Sequence, residues 1–291
     1  MQLTQPKPRW RKVLTYCVIL LVWYLGICAY LAHVYLHPKR DNAMMTPIWI
    51  KEVMIPSTKG PVPSWASPRL AAGKGEPIVF VMAHGYGGDR ETWTDPMLEL
   101  PKRGFECVAP SMPGQDASPD PTVGFGVKEA TMVLDTVKWV RAQYKKPPKI
   151  ILYGLSMGGA AVWLASEQDP TVDAVVSEGA YSRFDEAMYN WLDKKLPFSS
   201  ITLRPMIWMA AAEAQLNPAK ILPLSAAAKW TKPALVVQGD RDSLIPMHQA
   251  HELAEAAKCP LWIVHNAAHA ECYSAEKDEF LKRLTDLAYK L

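Results

Sequence analysis

The chain has 291 residues, 49% of them hydrophobic, which is enough for a large buried core in one α/β domain or two small ones. Its formal charge of +3 is uneven: residues 1–40 carry Lys7, Arg9, Arg11, Lys12, Lys39 and Arg40 and no acid, so the rest of the chain is net acidic. The globular part therefore has no basic stripe, and with no nucleic-acid motif in view a nucleic-acid partner is excluded. Cys107, Cys259 and Cys272 cannot all pair, which excludes a disulfide scaffold. Cys259 and Cys272 flank one expected strand and could bond; buried free thiols are the simpler reading.

In chain order, residues 1–12 form a basic segment. Val13 to Leu36 then runs for 24 residues without a formal charge. At about 1.5 Å per helical residue this exceeds the roughly 30 Å of bilayer hydrocarbon. Trp10, Tyr30 and Tyr35 sit near its ends, where aromatic belts form, and His33 lies close enough to the far end to reach the interface. Four basic residues precede the span and two follow it, so the expected arrangement is a signal anchor over 13–36 with 1–12 cytoplasmic. The domain that follows is then single-pass and on the non-cytoplasmic side. A cleaved signal peptide is the rival, but it needs an apolar core of about 7–15 residues and a small-x-small site. Leu25-Gly-Ile-Cys28 fits a lipoprotein box poorly because of its Ile.

Residues 37–47 read as a polar connector and 48–291 as the domain. Ile48–Ile55 alternates like a strand, Ser57-Thr-Lys-Gly60 is a turn, and Val62–Trp65 pairs back as an edge that tolerates Pro61, Pro63 and Pro68. After a loop at 71–77, Ile78–Ala83 is a continuous apolar run, the pattern of a strand buried on both faces. Thr92–Arg103 reads as a helix, Phe105–Pro110 as a strand, Phe125–Tyr144 as a helix, Ile150–Gly154 and Val172–Ser177 as strands. Residues 181–230 break this rhythm with helical, Trp- and Met-rich sequence, as a cap inserted over the sheet would. Pro233–Gly239, Met247–Ala257, Leu261–His265 and Ala275–Leu291 then resume strand, helix, strand and helix. Alternation of this kind implies a mostly parallel sheet with helices on both faces.

Chemistry enters at Ile150-Ile-Leu-Tyr-Gly154-Leu-Ser156-Met-Gly158-Gly159. A buried strand meets a very tight turn and then a helix. Glycines on either side of Ser156 clear the crossing, so the hydroxyl can be pushed out at the strand's C-terminal end. Serine needs a base within hydrogen-bond reach. His269, in the loop after the last strand, is favoured over His265; His37, His84, His248 and His251 have structural or solvated readings. The histidine needs an acidic partner to fix its tautomer. Asp242, in Gly239-Asp-Arg-Asp242-Ser-Leu-Ile-Pro246, is preferred to Asp240, which can pair locally with Arg241; Glu178 is a third choice. A tetrahedral oxyanion needs preorganised donors. The N–H of Met157 is one, and the N–H of Tyr86 in His84-Gly-Tyr-Gly-Gly88 is the other, with the His84 side chain holding that loop.

These four motifs, in this order, resemble the α/β-hydrolase superfamily, and within it the membrane-anchored, single-domain serine hydrolases termed serine aminopeptidase-like or prolyl-oligopeptidase-like. One departure is Ala268, where many members have glycine before the histidine. The resemblance implies an eight-stranded, mostly parallel sheet and acyl transfer to water through an acyl-serine, a reaction that needs no metal or organic cofactor. The leading expectation is hydrolysis of a small-molecule carboxylic ester, with an acyl or lipid-like substrate favoured if the apolar stripe Pro205-Met-Ile-Trp-Met209 lines a pocket; plain packing is the alternative for that stripe. A peptidase or amidase on the same residues, and a non-catalytic binding protein on the same fold, are the competing expectations.

Overall fold

The computed structural model describes residues 9–40, 45–68, 76–195 and 199–291. Most of the basic segment 1–12 and of the loop 71–77, and part of the 37–47 connector, lie outside the described residues. Helix α1 (Arg9–Leu36) precedes strands β1 (Lys51–Ile55), β2 (Val62–Ala66) and β3 (Ile78–Ala83). Then come α2 (Thr94–Glu99), β4 (Glu106–Pro110), α3 (Val127–Ala142), β5 (Lys149–Leu155), α4 (Met157–Gln168) and β6 (Ala174–Glu178). Helices α5 (Phe184–Lys195), α6 (Ser199–Thr202), α7 (Arg204–Glu213) and α8 (Pro223–Lys229) lead to β7 (Ala234–Gly239). The chain closes with α9 (Met247–Ala256), β8 (Leu261–Val264), α10 (Cys272–Ala275) and α11 (Lys277–Ala288).

The eight strands form one sheet in the order β1-β2-β4-β3-β5-β6-β7-β8. β2 runs antiparallel to β1 and β4, and every other pairing is parallel. Side chains alternate between two cores, as the period of a strand requires. Val79 and Val81 pack with α3, α4, α8 and α9 on one face, and Phe80 and Met82 with α2 and α11 on the other. Ala83 pairs with Gly154 and Leu155 with Glu178, so the loops after β3, β5 and β6 leave one edge side by side.

Several elements are shorter than their sequence pattern implies, for local reasons. The Thr92–Arg103 stretch is two 3₁₀ turns around a six-residue α2, because Pro101 cannot continue the helix. The helix expected from Phe125 starts at Val127, since Phe125 (φ 47°) and Gly126 (φ 98°) adopt left-handed backbone. The closing helix is divided at Glu276, whose φ of −135° and ψ of 50° are not helical. All five cysteines are free, so Cys259 and Cys272 do not bond to each other.

The 181–230 interval divides in two. α8 packs against α4 and α9 and adds Ala226, Ala227 and Trp230 to a core beneath the sheet. Helices α5 and α7 form a third cluster with Phe125, Met157, Tyr181 and α1. α1 is long and apolar enough over Trp10–Leu36 to cross a membrane. Its two halves differ. Its early apolar side chains, Leu20 and Trp23 among them, are well exposed, whereas Cys28, Ala32 and Leu36 are buried against the cap cluster. Those three follow i, i+4, i+8 spacing, which is one stripe of a helix.

Candidate active site

Ser156 sits between β5 and α4 with φ 56° and ψ −118°, a conformation L-residues rarely adopt. The two flanking glycines show why it is reached here. A Cβ on Gly158 would lie 2.0 Å from the Ala83 carbonyl oxygen, and one on Gly154 would lie 2.1 Å from that of Gly158. Neither clash could be relieved without moving backbone. The Ser156 N–H donates to the Glu178 carbonyl at 2.7 Å, which fastens the turn to β6.

The structure brings together Ser156, His269 and Asp242, from the ends of β5, β8 and β7. His269 Nε2 lies 2.8 Å from Ser156 Oγ, and His269 Nδ1 lies 2.7 Å from Asp242 Oδ2. A carboxylate can only accept, so Nδ1 carries the hydrogen and Nε2 is free to take the serine proton. Asp242 is fully enclosed, with a side chain 1% exposed. Its Oδ1 accepts from the N–H groups of Leu244 (2.8 Å) and Ile245 (2.9 Å), and its Oδ2 from Gln238 Nε2 (2.9 Å). Burial by itself raises the carboxyl pKa. The hydrogen bond and charge of His269 and the two backbone N–H groups outweigh that and hold it below its usual value.

The other candidates lie elsewhere. His265 is exposed and bonds Asp240, whose second oxygen accepts from the Asn266 N–H at 2.7 Å. Asp240 is thus hydrogen-bonded at β8's end, and Arg241 acts on it through its charge. Glu178 accepts from the Tyr153 hydroxyl at 2.8 Å, and burial raises its pKa. His248 pairs with Glu186.

The glycine loop after β3 packs directly on the serine: a Cβ on Gly85 would lie 3.2 Å from Ser156 Cβ. His84 holds this loop from within. Its Nε2 accepts from the Met112 N–H at 3.1 Å, so its Nδ1 carries the hydrogen and donates to the Gly85 carbonyl at 3.0 Å. Burial keeps this imidazole neutral by lowering its pKa. Gln115 accepts from the Gly87 N–H. Tyr86 and Met157 both border the space in front of Ser156. The Tyr86 hydroxyl, pushed up to about 12 by burial and by Tyr35, donates to the Tyr35 carbonyl at 2.9 Å.

That space is a cavity of about 180 Å³. Phe125, Tyr181, Phe184, Met188 and Trp191 supply much of its wall, and among the described residues no acid, lysine or arginine lines it. The Pro205–Met209 stripe does not line it. Met206 and Ile207 are buried in the cluster shared with α1, and Trp208 is exposed, so the packing reading of that stripe is the correct one. Sequence reasoning missed Gln238, because a glutamine inside a strand has no distinguishing pattern. It also missed the pocket role of α5 and of Tyr35, because aromatic residues in apolar segments read as packing.

Residues 78–283 match the model of the alpha/beta hydrolase family. Among solved structures, an esterase from Pyrococcus furiosus is similar at 20% identity, with a TM-score of 0.72 over 88% of this chain and 98% of its own. An alpha/beta hydrolase from Penicillium is similar at 16% identity, with a TM-score of 0.64 over 84% and 99%. An acylaminoacyl peptidase from Pyrococcus horikoshii, at 16% identity and a TM-score of 0.61, is matched over 81% of this chain but only 40% of its own. At these identities the likeness is one of fold. No curated protein matches the chain by sequence.

Proposed function

The chain belongs to the alpha/beta hydrolase family, and from that membership we propose that it is a serine hydrolase of carboxylic esters with an apolar acyl group, tethered to a membrane by α1. The observation that carries this reading is the unbroken chain Ser156–His269–Asp242, at 2.8 and 2.7 Å, opening onto an apolar cavity. His269 Nε2 takes the Ser156 proton as Oγ attacks the acyl carbonyl carbon. Asp242 stabilises the imidazolium. The N–H groups of Met157 and Tyr86 receive the oxyanion; donors of this kind are each worth about 3–4 kcal/mol. Collapse of the tetrahedral species breaks the ester C–O bond, and His269 returns its proton to the leaving alcohol. Water then repeats the sequence on the acyl-serine and releases the acid.

An amide substrate would use the same residues, with His269 protonating a poorer leaving group. The ester reading is favoured because the cavity offers apolar walls and, among the described residues, no charged side chain to hold a peptide end. Tethering is supported by the exposed apolar half of α1, and a cytoplasmic N-terminus by the basic residues before the apolar span, Lys7, Arg9, Arg11 and Lys12. The test is kinetic: kcat/KM of the full chain for p-nitrophenyl esters and for matching aminoacyl amides. The expected result is a preference for esters and a fall of about 10⁴-fold or more on Ser156→Ala. Preference for amides would overturn the ester assignment, and undiminished turnover by Ser156→Ala would overturn the mechanism.

A further inference from the structure

We infer that the last turns of the N-terminal helix are a working wall of the acyl-binding cavity, that Tyr35 sets its length, and that the cavity takes a neutral, apolar acyl group of about six to eight carbons. The inference rests on the serine-hydrolase reading and adds to it a substrate class and a specificity residue outside the catalytic domain.

Tyr35 borders the same cavity as Ser156 and His269. Its ring stands edge-on to Trp191 of α5, with centroids 4.8 Å apart at 90°. Its carbonyl accepts from Tyr86, the residue whose N–H is the proposed oxyanion donor. The next residue, Leu36, is fully buried, and its carbonyl accepts from the Val123 N–H at 3.0 Å. Arg40 in the following segment continues the attachment with two bonds, donating to the carbonyls of Ser118 (2.6 Å) and Asp120 (2.7 Å). On the cap side, His33 Nδ1 and Glu213 Oε1 lie 2.9 Å apart, and the Tyr24 hydroxyl bonds the Thr202 carbonyl. The helix end is thus joined to the cap, to the oxyanion loop and to the 118–125 loop. A leader to be discarded has no need of such attachments, and its removal would leave the cavity open on one side.

The cavity's size points to the ligand class. An apolar cavity of about 150 Å³ holds a six-carbon ring. At 180 Å³ this one holds slightly more. Behind Tyr35 lies a second, far smaller void lined by Met206 and Ile207 of α7. Tyr35, Phe125, Phe184 and Met188 border both spaces, so the Tyr35 ring is part of the partition between them.

The experiment uses the full chain in detergent micelles and a p-nitrophenyl ester series from acetyl to myristoyl. Labelling of Ser156 by a fluorophosphonate reports an intact site. Tyr35→Ala is expected to join the two spaces and raise the kcat/KM ratio of dodecanoyl to hexanoyl ester about fifteenfold, the value of two more buried methylenes at about fourfold each. Tyr35→Trp, which fills the wall, is expected to move the optimum to shorter chains. Val22→Ala, on the exposed half of the same helix, is expected to leave the profile unchanged. If Tyr35→Ala no longer labels, Met188→Ala, at another residue that borders both spaces, is expected to lengthen the optimum in its place. A labelled, active protein whose profile does not move in Tyr35→Ala or Tyr35→Trp overturns the inference alone. Failure of the wild-type chain to label or to cleave any ester overturns the serine-hydrolase reading beneath it.

Discussion

The C-terminal edge of the sheet and the assembly of cap and α1 meet at one cavity, yet they are built on opposite principles. At the edge, position is set by backbone and by directed hydrogen bonds. Ser156 is fixed by two glycine crossings near 2 Å, and Asp242 by four hydrogen-bond donors inside an enclosed site. Displacing any of these by half an ångström would break a bond or create a clash. Across the cavity the wall is apolar and is held by packing. Contacts such as Tyr35 on Trp191, or Phe125 on Phe184 at 4.7 Å, tolerate small shifts and exchange of one apolar side chain for another. Under the proposed function, the difference teaches that reactivity and selectivity are placed on separate parts of the molecule, so that one can vary while the other is kept.

Perturbing the polar edge should produce the largest effects. Asp242→Asn keeps the shape of the site but replaces one carboxylate oxygen by an amide, so His269 loses its tautomer lock and the countercharge for its imidazolium. Turnover is expected to fall about 10⁴-fold, with kcat carrying the loss and KM little changed. A drop smaller than tenfold in steady-state assays would mean that Asp242 does not act on His269.

Glu129 lies where the two regions join, and an intermediate effect is expected there. Its carboxyl accepts from the N–H groups of Gly124 (2.8 Å) and Gly126 (2.7 Å), and so holds the left-handed turn that presents Phe125 to the cavity. Burial raises its pKa from the usual 4.5 to about 7, against the pull of those hydrogen bonds. Between these two values the unfolded chain has lost the proton while the folded chain keeps it. The contribution to stability therefore declines as pH rises from about 4.5 to 7 and levels off above that, by at most about 3 kcal/mol. Glu129→Gln cannot ionise. The stability of the wild type relative to this variant should fall from pH 5 to pH 8 in thermal melts, and parallel pH profiles would remove Glu129 from the account.

The outer face of the cap should respond least. Trp208 is 51% exposed while its neighbours Met206 and Ile207 are buried. Trp208→Ser is expected to change stability by no more than about 0.5 kcal/mol in chemical denaturation of detergent-solubilised protein. A loss above 2 kcal/mol would show that this face packs on something, and the contrast between edge and cap would need redrawing.

The same contrast explains what could be read from the sequence. All eight strands were legible: β1 by its alternation, β2 as the edge that pairs back across a turn, and the inner strands because apolar runs between turn residues have few other structural solutions. The serine turn was legible because its glycines answer a steric demand that only glycine meets. Asp242 and His269 followed from their positions just beyond strand ends. Helix limits were misjudged where single backbone conformations decide them, at Phe125 and at Glu276. Gln238 was invisible, since its partner Asp242 is four residues away and across a turn. The wall was invisible for a different reason. Tyr35 has the same surroundings in sequence as any aromatic residue near the end of a membrane span, and only the fold brings it to Trp191 and Ser156.

The central claim is that Ser156 is the reactive nucleophile of this chain. The most direct measurement is to treat the folded, full-length protein with a fluorophosphonate probe and map the adduct by tandem mass spectrometry. The account predicts a single stoichiometric adduct on Ser156 that disappears in His269→Ala. A chain that remains unmodified, or one modified at another serine with Ser156 untouched, would contradict it.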